Sequence, residues 1–506
     1  MTWPFDNSYA RLPERFYRRV LPTPVPRPAL LALNAPLAVQ LGLDPETLAS
    51  SQGLDILCGN SLPPGADAMA LAYAGHQFGH LVPQLGDGRA VLLGELVGSD
   101  GERRDVQLKG SGRTPFSRGG DGRAALGPVL REYILSEAMA ALGVPTTRAL
   151  AAVTTGMAVF REMPLPGAVL TRVAASHLRI GTFQYFAMRE DGEALALLTD
   201  YALRRHYPDV DQKGGPALAL LDAVMAAQAQ LVARWMGIGF IHGVMNTDNT
   251  TISGETLDYG PCAFMDGFDP QRTFSSIDHG GRYAYANQPQ MAQWNLSRLA
   301  EALLPLVHDD QDRAVAILTE RLAAFAGLFD AAYRAVLNAK LGLLPSPDAQ
   351  TALADQRLAD QLFGLMAAER VDFTRCFSFL TAGLRSLTEG LRSTTEATDG
   401  ADAGMLALFA EPAAVSAWLQ EWHARRALQL DGPAQQVARM RQANPVFVPR
   451  NHRVEEVIAA ATQGDLGPLQ RLLRVLARPH DQQAQDADLA DPPDETQWQY
   501  QTFCGT

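Results

Sequence analysis

Apolar and polar residues alternate in several short segments of the first part of the chain, and this spacing predicts strands. The segments, each bounded by turn residues, are 90–97, 104–109, 148–154, 158–162 and 168–173. Apolar residues at helical spacing predict one helix over 128–142, with Pro128 in its first turn and Gly143 as its cap. These elements predict an antiparallel sheet with one inserted helix.

Side-chain direction within the second predicted strand singles out one lysine. Side chains alternate between the two faces of a strand, so Lys109 points away from the apolar Val106 and Leu108. It is therefore free to reach a cleft on the other face. Just before the first strand, Asp87-Gly88 is typical of a hairpin turn.

Beyond about residue 200 the apolar spacing becomes helical. Helices are predicted at 216–236, 289–307, 313–337 and 350–367. A sheet with one helix, followed by helices, is the element order of the two-lobed protein-kinase fold, whose nucleotide cleft lies between the lobes. We therefore predict an α+β, protein-kinase-like fold with a mainly helical second lobe and with extensions at both termini.

Four regions are predicted along the chain. Residues 1–70 are rich in proline and form an N-terminal extension packed on the body. Residues 71–205 form the sheet lobe, and 206–479 form the helical lobe with a polar central loop. The last region, 480–506, begins with a solvated linker rich in Asp, Gln and Pro and ends in a tail containing Cys504.

The composition, 47% hydrophobic and 19% charged, is that of an ordinary globular protein. The net charge of −12 argues against a general nucleic-acid binder. The N-terminus lacks the pattern of a secretory signal, and the most apolar stretch, 217–236, is interrupted by Asp222 and Arg234. We expect a cytoplasmic protein that binds neither nucleic acid nor membranes.

The four cysteines, Cys58, Cys262, Cys376 and Cys504, are widely spaced and include no CxxC pair. This usage excludes a common zinc motif and is typical of a reducing compartment. The first three are expected to be buried small apolar side chains. Cys504 lies near the end of the chain, where burial is less common, and a redox or regulatory role is a hypothesis for it.

The strongest candidate for chemistry is the polar loop 239–260. Asp248 and Asn249 are adjacent, and Asp258 follows later in the same loop. Their oxygens suit Mg²⁺ and a phosphate-containing substrate. The pattern resembles a protein-kinase catalytic loop followed by its metal-binding Asp-Phe-Gly, but Val244 stands where the kinase catalytic aspartate would be. The alternative is a polar loop without a ligand.

Other candidates are suited to phosphate. Lys109 can neutralise phosphate oxygens, with Glu132 of the predicted helix holding it as in a kinase ion pair. The alternative is an edge-strand lysine and a solvated glutamate. Gly86 and Gly88, beside Arg89, allow backbone N–H groups to cover phosphates, although any hairpin can carry this sequence.

Two more pairs complete the candidate set. Asp121 and Gly122 lie in a glycine-rich segment that has no obvious structural need and is either a binding loop or a plain loop. Arg172 and Arg179 flank a small polar segment, and guanidinium groups suit a polyphosphate tail. Their alternative is that both are surface arginines.

Together these segments resemble the selenoprotein O family. The resemblance is carried by Gly75-His-Gln-Phe-Gly79, Gln84-Leu-Gly-Asp-Gly-Arg89, residues 107–122, His242-Gly-Val-Met-Asn-Thr-Asp-Asn249 and Asp258-Tyr-Gly-Pro261. It runs over nearly the whole chain and implies a pseudokinase-like protein adenylyltransferase. Such an enzyme transfers AMP from ATP to Ser, Thr or Tyr hydroxyls, with ATP bound in reversed orientation. The tail departs from the family pattern, because Gly505 and Thr506 follow Cys504 where many bacterial members have two serines.

The resemblance also implies a role for each candidate. Asp248 would be the catalytic base, and Asn249 and Asp258 would hold Mg²⁺ or Mn²⁺. The nucleotide-binding residues would be Gly86, Gly88, Arg89, Lys109, Asp121, Gly122, Arg172, Arg179 and Asp258. With the nucleotide reversed, the base need not stand at Val244.

Three rival functions stay open. The same site can transfer UMP from UTP, it can perform ordinary phosphotransfer, or the chain can be a non-catalytic pseudokinase scaffold that binds ATP. The implied partners are ATP and protein substrates carrying Ser, Thr or Tyr acceptors, and we expect a monomer.

Overall fold

The computed structural model describes residues 3–388 and 402–494, in which strands and helices combine in an α+β architecture. The strands are β1 (Tyr17–Arg19), β2 (Ala29–Leu33), β3 (Met69–Leu71), β4 (Gly75–Gln77), β5 (His80–Val82), β6 (Ala90–Val97), β7 (Arg103–Lys109), β8 (Ala124–Ala125), β9 (Arg148–Phe160), β10 (Pro164–Ala174), β11 (Phe240–Ile241) and β12 (Ala263–Phe264). The main sheet has the order β1-β3-β6-β7-β10-β9-β2, with β8 paired to β10. Its pairings are antiparallel, as predicted.

The predicted strands agree with β6, β7 and β10, but the two strands predicted at 148–154 and 158–162 are wrong as separate elements. They form the single strand β9, which pairs with β10 on both sides of Gly156. Gly156 has a φ of 70°, a left-handed conformation that favours glycine. The pairing register shifts near this point. The strand therefore continues through a local irregularity, which in the sequence pattern resembles a turn.

The helices of the described residues include those predicted, with ends displaced by a few residues. They are α1 (Ala35–Gln40), α2 (Pro45–Ala49), α3 (Ser51–Cys58), α4 (Leu126–Ala141), α5 (Ile180–Ala187), α6 (Gly192–His206), α7 (Pro216–Gly237), α8 (Gln288–Leu303), α9 (Gln311–Lys340), α10 (Ala349–Glu369), α11 (Phe373–Thr388), α12 (Ala403–Leu406), α13 (Pro412–Ala427), α14 (Pro433–Ala443), α15 (Asn451–Thr462) and α16 (Gly467–Leu476). Helices α5–α14 surround the largest apolar core.

The main sheet lies between two helical layers. Val106 and Leu108 of β7 point into a core shared with α1–α3 of the N-terminal region. On the opposite face, α4 packs against β9 and β10. This alternation confirms the predicted direction of Lys109, which shares the second face.

The C-terminal part returns to the sheet. Helices α15 and α16 pack against α4. The solvated linker predicted at the start of 480–506 is wrong for its described part, because Ala484–Ala490 forms a 3-10 helix. Asp486 is buried there, paired with Arg471 and Arg474. Cys504 lies outside the described residues.

The apolar helix α7 is the one described helix with the length and composition of a possible membrane span. In the fold it is a core helix, since 61% of its most apolar window is buried, and it packs on α8 and α9. The prediction for Cys58, Cys262 and Cys376 is confirmed, because all three are free and buried.

Candidate active site

A cleft of about 940 Å³ opens between the sheet with α4 and the loop that follows α7. Its walls include β7, β10, the glycine-rich loop 110–123 and the loop 244–260. Every residue predicted to bind nucleotide, hold metal or catalyse lines this cleft: Gly86, Gly88, Arg89, Lys109, Asp121, Gly122, Arg172, Arg179, Asp248, Asn249 and Asp258. The tertiary fold thus brings together segments that are far apart in sequence.

Three charged side chains form the sheet wall of the cleft. Nζ of Lys109 lies 2.5 Å from Oε2 of Glu132, as the predicted ion pair requires. The other oxygen of Glu132 accepts a hydrogen bond from Arg172 at 3.1 Å. Glu132 and Arg172 are each only 3% exposed, so the alternatives of a solvated glutamate and a surface arginine are wrong. Both cations are held in place by one buried carboxylate.

Asp258 faces this wall from the central loop. Its Oδ1 accepts a hydrogen bond from Lys109 at 3.1 Å, and 32% of its side chain is exposed. Burial by itself would raise the pKa of Asp258, but the positive charges of Lys109, Arg172 and Arg89 hold that pKa well below its usual range. The carboxylate is therefore charged and accessible, as a metal ligand must be.

The backbone of Asp258 is strained. Its φ of 69° places a non-glycine residue in the left-handed region, which costs on the order of 1–3 kcal/mol. Such strain persists only where the surroundings enforce it, and it is common at active sites.

Asn249 ends the short 3-10 helix Thr247–Asn249. Its Nδ2 donates to the carbonyl of Val244 at 3.1 Å, which leaves the amide oxygen for another partner. Residues 3–388 and 402–494 contain no cluster of three or more His, Cys, Asp or Glu placed to hold a metal. One amide and one carboxylate oxygen nevertheless fit Mg²⁺ or Mn²⁺, because such ions take further ligands from phosphates and water.

Asp248 occupies a different environment. Its Oδ2 accepts a hydrogen bond from Nε2 of Gln77 at 3.0 Å. Its Oδ1 is enclosed and has no hydrogen-bond partner among the described residues. Burial raises the pKa of Asp248 to about 6, against the opposing effects of Gln77 and Arg179. A carboxylate that titrates near neutral pH suits a general base.

Arg179 connects the two sides of the cleft. Its guanidinium stacks on Tyr73, 4.2 Å from the ring centroid, and donates to the backbone carbonyl of Asp248 at 2.9 Å. It also lies 3.5 Å from Oδ1 of Asp87. With 5% exposure, Arg179 is a buried part of the cleft and the surface-arginine alternative is wrong.

Gly86 and Gly88 line the cleft, but their amides are engaged within the protein. The N–H of Gly86 donates to the carbonyl of Tyr73, and that of Gly88 donates to the carbonyl of Gly86. Gly86 has a φ of 69°, and a Cβ there would lie 2.3 Å from the ring of Phe116. Close packing therefore explains this glycine, and a contact of either residue with nucleotide stays a prediction.

The predicted hairpin at Asp87-Gly88 is wrong, because β6 pairs with β3 and β7. The carboxylate of Asp87 is instead buried and accepts hydrogen bonds from the backbone of Leu71 and the side chain of Gln107. Arg89, next in the chain, is half-buried in the cleft wall. Its side chain makes no hydrogen bond or ion pair with any residue that the structure describes, which suits an anionic ligand.

Asp121 and Gly122 lie at the rim of the cleft. Asp121 is exposed, pairs with Arg161 at 2.9 Å and accepts from the backbone N–H of Arg123. A Cβ at Gly122 would lie 2.0 Å from the carbonyl oxygen of Gly112. The expectation that this segment has no structural need is wrong, since the close approach of two backbones requires glycine here.

Sequence reasoning missed several residues that line the cleft, among them Gln77 and Arg131. Gln77 belongs to the Gly- and His-rich segment before the sheet, but no spacing rule links it to Asp248. Arg131 of α4 donates hydrogen bonds to the carbonyls of Gly260 and Cys262, and these bonds connect α4 to the loop after Asp258. Contacts of this kind depend on tertiary folding and leave no local signal.

The fold and the cleft together describe an α+β protein suited to an anionic ligand, and comparisons with known proteins narrow this class. The family model described as protein adenylyltransferase SelO matches residues 1–477. Two relatives named protein nucleotidyltransferase YdiU, from Bradyrhizobium sp. (strain BTAi1 / ATCC BAA-1182) and Rhodopseudomonas palustris (strain HaA2), are each 56% identical to the chain. A relative of the same name from Methylorubrum populi is also 56% identical. Each match covers 100% of this chain and 99% of the relative.

These matches extend over the sheet, the helices and both walls of the cleft. The chain belongs to the SelO family of protein adenylyltransferases.

Proposed function

We propose that this protein transfers AMP from ATP to Ser, Thr or Tyr hydroxyls of other proteins and releases diphosphate. The observation that carries the proposal is the pair Asp248 and Asp258, which line one cleft but have pKa values shifted in opposite directions, raised for Asp248 and lowered for Asp258. One carboxylate is kept charged, as a metal ligand needs, and the other titrates near neutral pH, as a base needs.

The proposed architecture is that of a protein kinase. Residues 71–205 would form the first lobe and 206–479 the second, with the nucleotide in the cleft between them. The extensions 1–70 and 480–506 would support these lobes. The antiparallel sheet, α4 with its Lys109–Glu132 ion pair, and the helices that follow support this division.

Lys109, Arg172 and Arg179 would hold the phosphate tail, and Arg89 would add a fourth positive charge. Their guanidinium and ammonium groups suit phosphate oxygens. Gly86, Gly88, Asp121, Gly122 and Asp258 would line the rest of the nucleotide site, which their positions in the cleft support.

Asn249 and Asp258 would hold Mg²⁺ or Mn²⁺. When bound, such an ion neutralises phosphate charge and so assists departure of diphosphate. Lys109 keeps Asp258 ionised for this role and, through Glu132, is itself fixed.

Asp248 would accept the proton of the acceptor hydroxyl as the hydroxyl oxygen bonds to the α-phosphorus. The bond between that phosphorus and the oxygen bridging to the β-phosphate then breaks, and diphosphate leaves with the electron pair. Because Asp248 and Asn249 both belong to the 3-10 helix Thr247–Asn249, the base and the metal ligand would be held next to each other.

Labelled nucleotides separate this proposal from its rivals. Incubation with a protein acceptor and α-³²P-ATP should label the acceptor, and γ-³²P-ATP should not. Label from γ-³²P-ATP alone would indicate a kinase, and label from neither would indicate a scaffold. Replacement of ATP by α-³²P-UTP tests for UMP transfer.

We also propose that the protein works in the cytoplasm as a monomer. The buried, unpaired Cys58, Cys262 and Cys376 support a reducing compartment. Light scattering during size-exclusion chromatography tests the monomer, for which the sequence mass is 54.7 kDa.

A further inference from the structure

A small hairpin, formed by β4 and β5, lies directly on the loop that carries Asp248. The backbone N–H of His76 donates to Oγ1 of Thr247 at 2.7 Å. The N–H of Phe78 donates to Oδ1 of Asn246 at 3.1 Å. Three consecutive residues of the loop, 246–248, are thus bonded to the hairpin, the third through Gln77.

The hairpin is built for close approach to Asp248. A Cβ on Gly75 would lie 2.7 Å from Oδ1 and 2.9 Å from Cβ of Asp248, so only glycine fits there. At the hairpin turn, Phe78 adopts a left-handed φ of 50°. Strain in a non-glycine residue of this kind is held by its surroundings and is frequent at functional sites.

The two oxygens of Asp248 differ in what reaches them. Oδ1 is enclosed under Gly75, without solvent contact and without a donor among the described residues. Oδ2 receives the hydrogen bond from Gln77. An acceptor hydroxyl must therefore meet Oδ2, whose second lone pair remains available.

We infer that Gln77 is a positioning residue, which holds the carboxylate of Asp248 so that Oδ2 meets the acceptor hydroxyl. The inference rests on the proposed role of Asp248 as base. The terminal torsion of an aspartate is broad, so a carboxylate without a fixed donor samples other orientations. A neutral amide fixes it without forming an ion pair that would compete for the proton.

The first test replaces Gln77 by Met, which has similar length and no donor. Loss of a hydrogen bond to a charged group should lower kcat about 10- to 100-fold. The dissociation constant of ATP should stay near the wild-type value, because the side chain of Gln77 is bonded to the base Asp248 and not to a residue proposed to hold the nucleotide. The matched control is Gln84→Met. Gln84 is exposed and lies outside the cleft, so this substitution should leave kcat unchanged. A wild-type kcat in Gln77→Met overturns the inference.

Gln77→Glu guards against a misfolded variant, since it keeps the shape and replaces the donor by an acceptor. Its kcat should fall at least as far as that of Gln77→Met, because two carboxylates then face each other. A Gln77→Glu variant as active as wild type overturns the inference.

A double-mutant cycle separates positioning from a structural role. Gln77→Met is combined with Asp248→Asn, and kcat is measured for the four proteins. If Gln77 acts through Asp248, the double variant should be no slower than Asp248→Asn alone. Additive losses overturn the inference while leaving the proposed function intact. A wild-type protein that transfers no AMP, or an Asp248→Asn variant with full activity, contradicts the proposed function and overturns the inference with it.

Discussion

Asp248 and Asp258 belong to the same loop and line the same cleft, yet the fold surrounds them differently. Asp258 pairs with Lys109, and the positive charges of Lys109, Arg172 and Arg89 hold its pKa below the usual range. Asp248 is covered by the β4–β5 hairpin, and its enclosed Oδ1 has no partner within the described parts of the chain. Its pKa is raised to about 6 by burial.

The comparison teaches that the chemical role of a carboxylate is set by its surroundings and not by its sequence motif. A carboxylate among cations stays ionised and suits a metal ligand, whereas one enclosed with a neutral donor has a raised pKa and suits a base. The kinase position at Val244 is not needed for this division, because the hairpin supplies the enclosed environment at Asp248.

The largest effect is expected for Asp258→Ala. Transfer of labelled AMP from α-³²P-ATP to protein should fall to background, because the metal site loses its charged ligand. The measurement is label incorporation across a titration of Mg²⁺ and Mn²⁺, with thermal unfolding as a control for an intact fold. Retained metal-dependent transfer would show that Asp258 is not the ligand.

Asp248→Asn should lower kcat about 10²- to 10⁴-fold, the usual contribution of a general base. Asn has the same shape but cannot take the proton, so the dissociation constant of ATP should change little. Single-turnover kinetics and equilibrium ATP binding provide the two quantities. Equal losses in both would argue against a base.

Glu132→Gln tests the wall that holds Asp258 ionised. Lys109 and Arg172 would lose their shared buried carboxylate, and the free energy of unfolding should fall by about 3–5 kcal/mol. The matched control, Glu456→Gln, removes an exposed pair with Arg453 and should cost less than about 1 kcal/mol. Urea unfolding of both variants provides the comparison, and equal small losses would mean that the wall does not depend on Glu132.

The smallest effect concerns the free energy of unfolding as a function of pH, measured in EDTA so that no metal ion is bound. A raised pKa means that folded Asp248 keeps its proton where the unfolded chain has lost it, so this residue costs stability as pH rises from about 4 to about 6. Asp248→Asn should therefore be more stable than wild type above pH 6, by up to about 3 kcal/mol, and the gain should shrink toward pH 4.

Asp258 should behave with the opposite sign. Its lowered pKa contributes stability above the ordinary carboxyl pKa, and this stability is lost as pH falls through the folded value. Asp258→Asn should thus be less stable than wild type at neutral pH. If the free energies of unfolding of Asp248→Asn and Asp258→Asn changed with pH in the same way, the proposed difference between the two carboxyl groups would be wrong.

The sequence pattern predicted elements whose periodicity is local. Strands β6, β7 and β10 and helices such as α7 follow from apolar spacing and flanking turn residues. The direction of Lys109 follows from the same alternation. The single strand β9 was not predicted, because whether a strand continues through Gly156 depends on its partner, β10.

The local sequence pattern also did not predict which polar residues are buried. Asp87 has the sequence of a turn, but its carboxylate is buried among donors from β3 and β7. Asp486 lies in a segment of solvated composition, but it is covered because Arg471 and Arg474 pair with it. Each side chain found partners remote in sequence, and such partners decide whether a charge can be buried.

By itself, the sequence determined the order of elements, the polar loop with Asp248, Asn249 and Asp258, and the resemblance that identifies the family. Only the tertiary structure decided which candidates share a cleft and in which direction the pKa of each carboxyl is shifted. The hydrogen bond from Gln77 and the return of α15 and α16 to α4 also belong to the tertiary structure. The physical reason is that apolar periodicity acts between near neighbours, whereas pKa values and hydrogen bonds depend on distance in space.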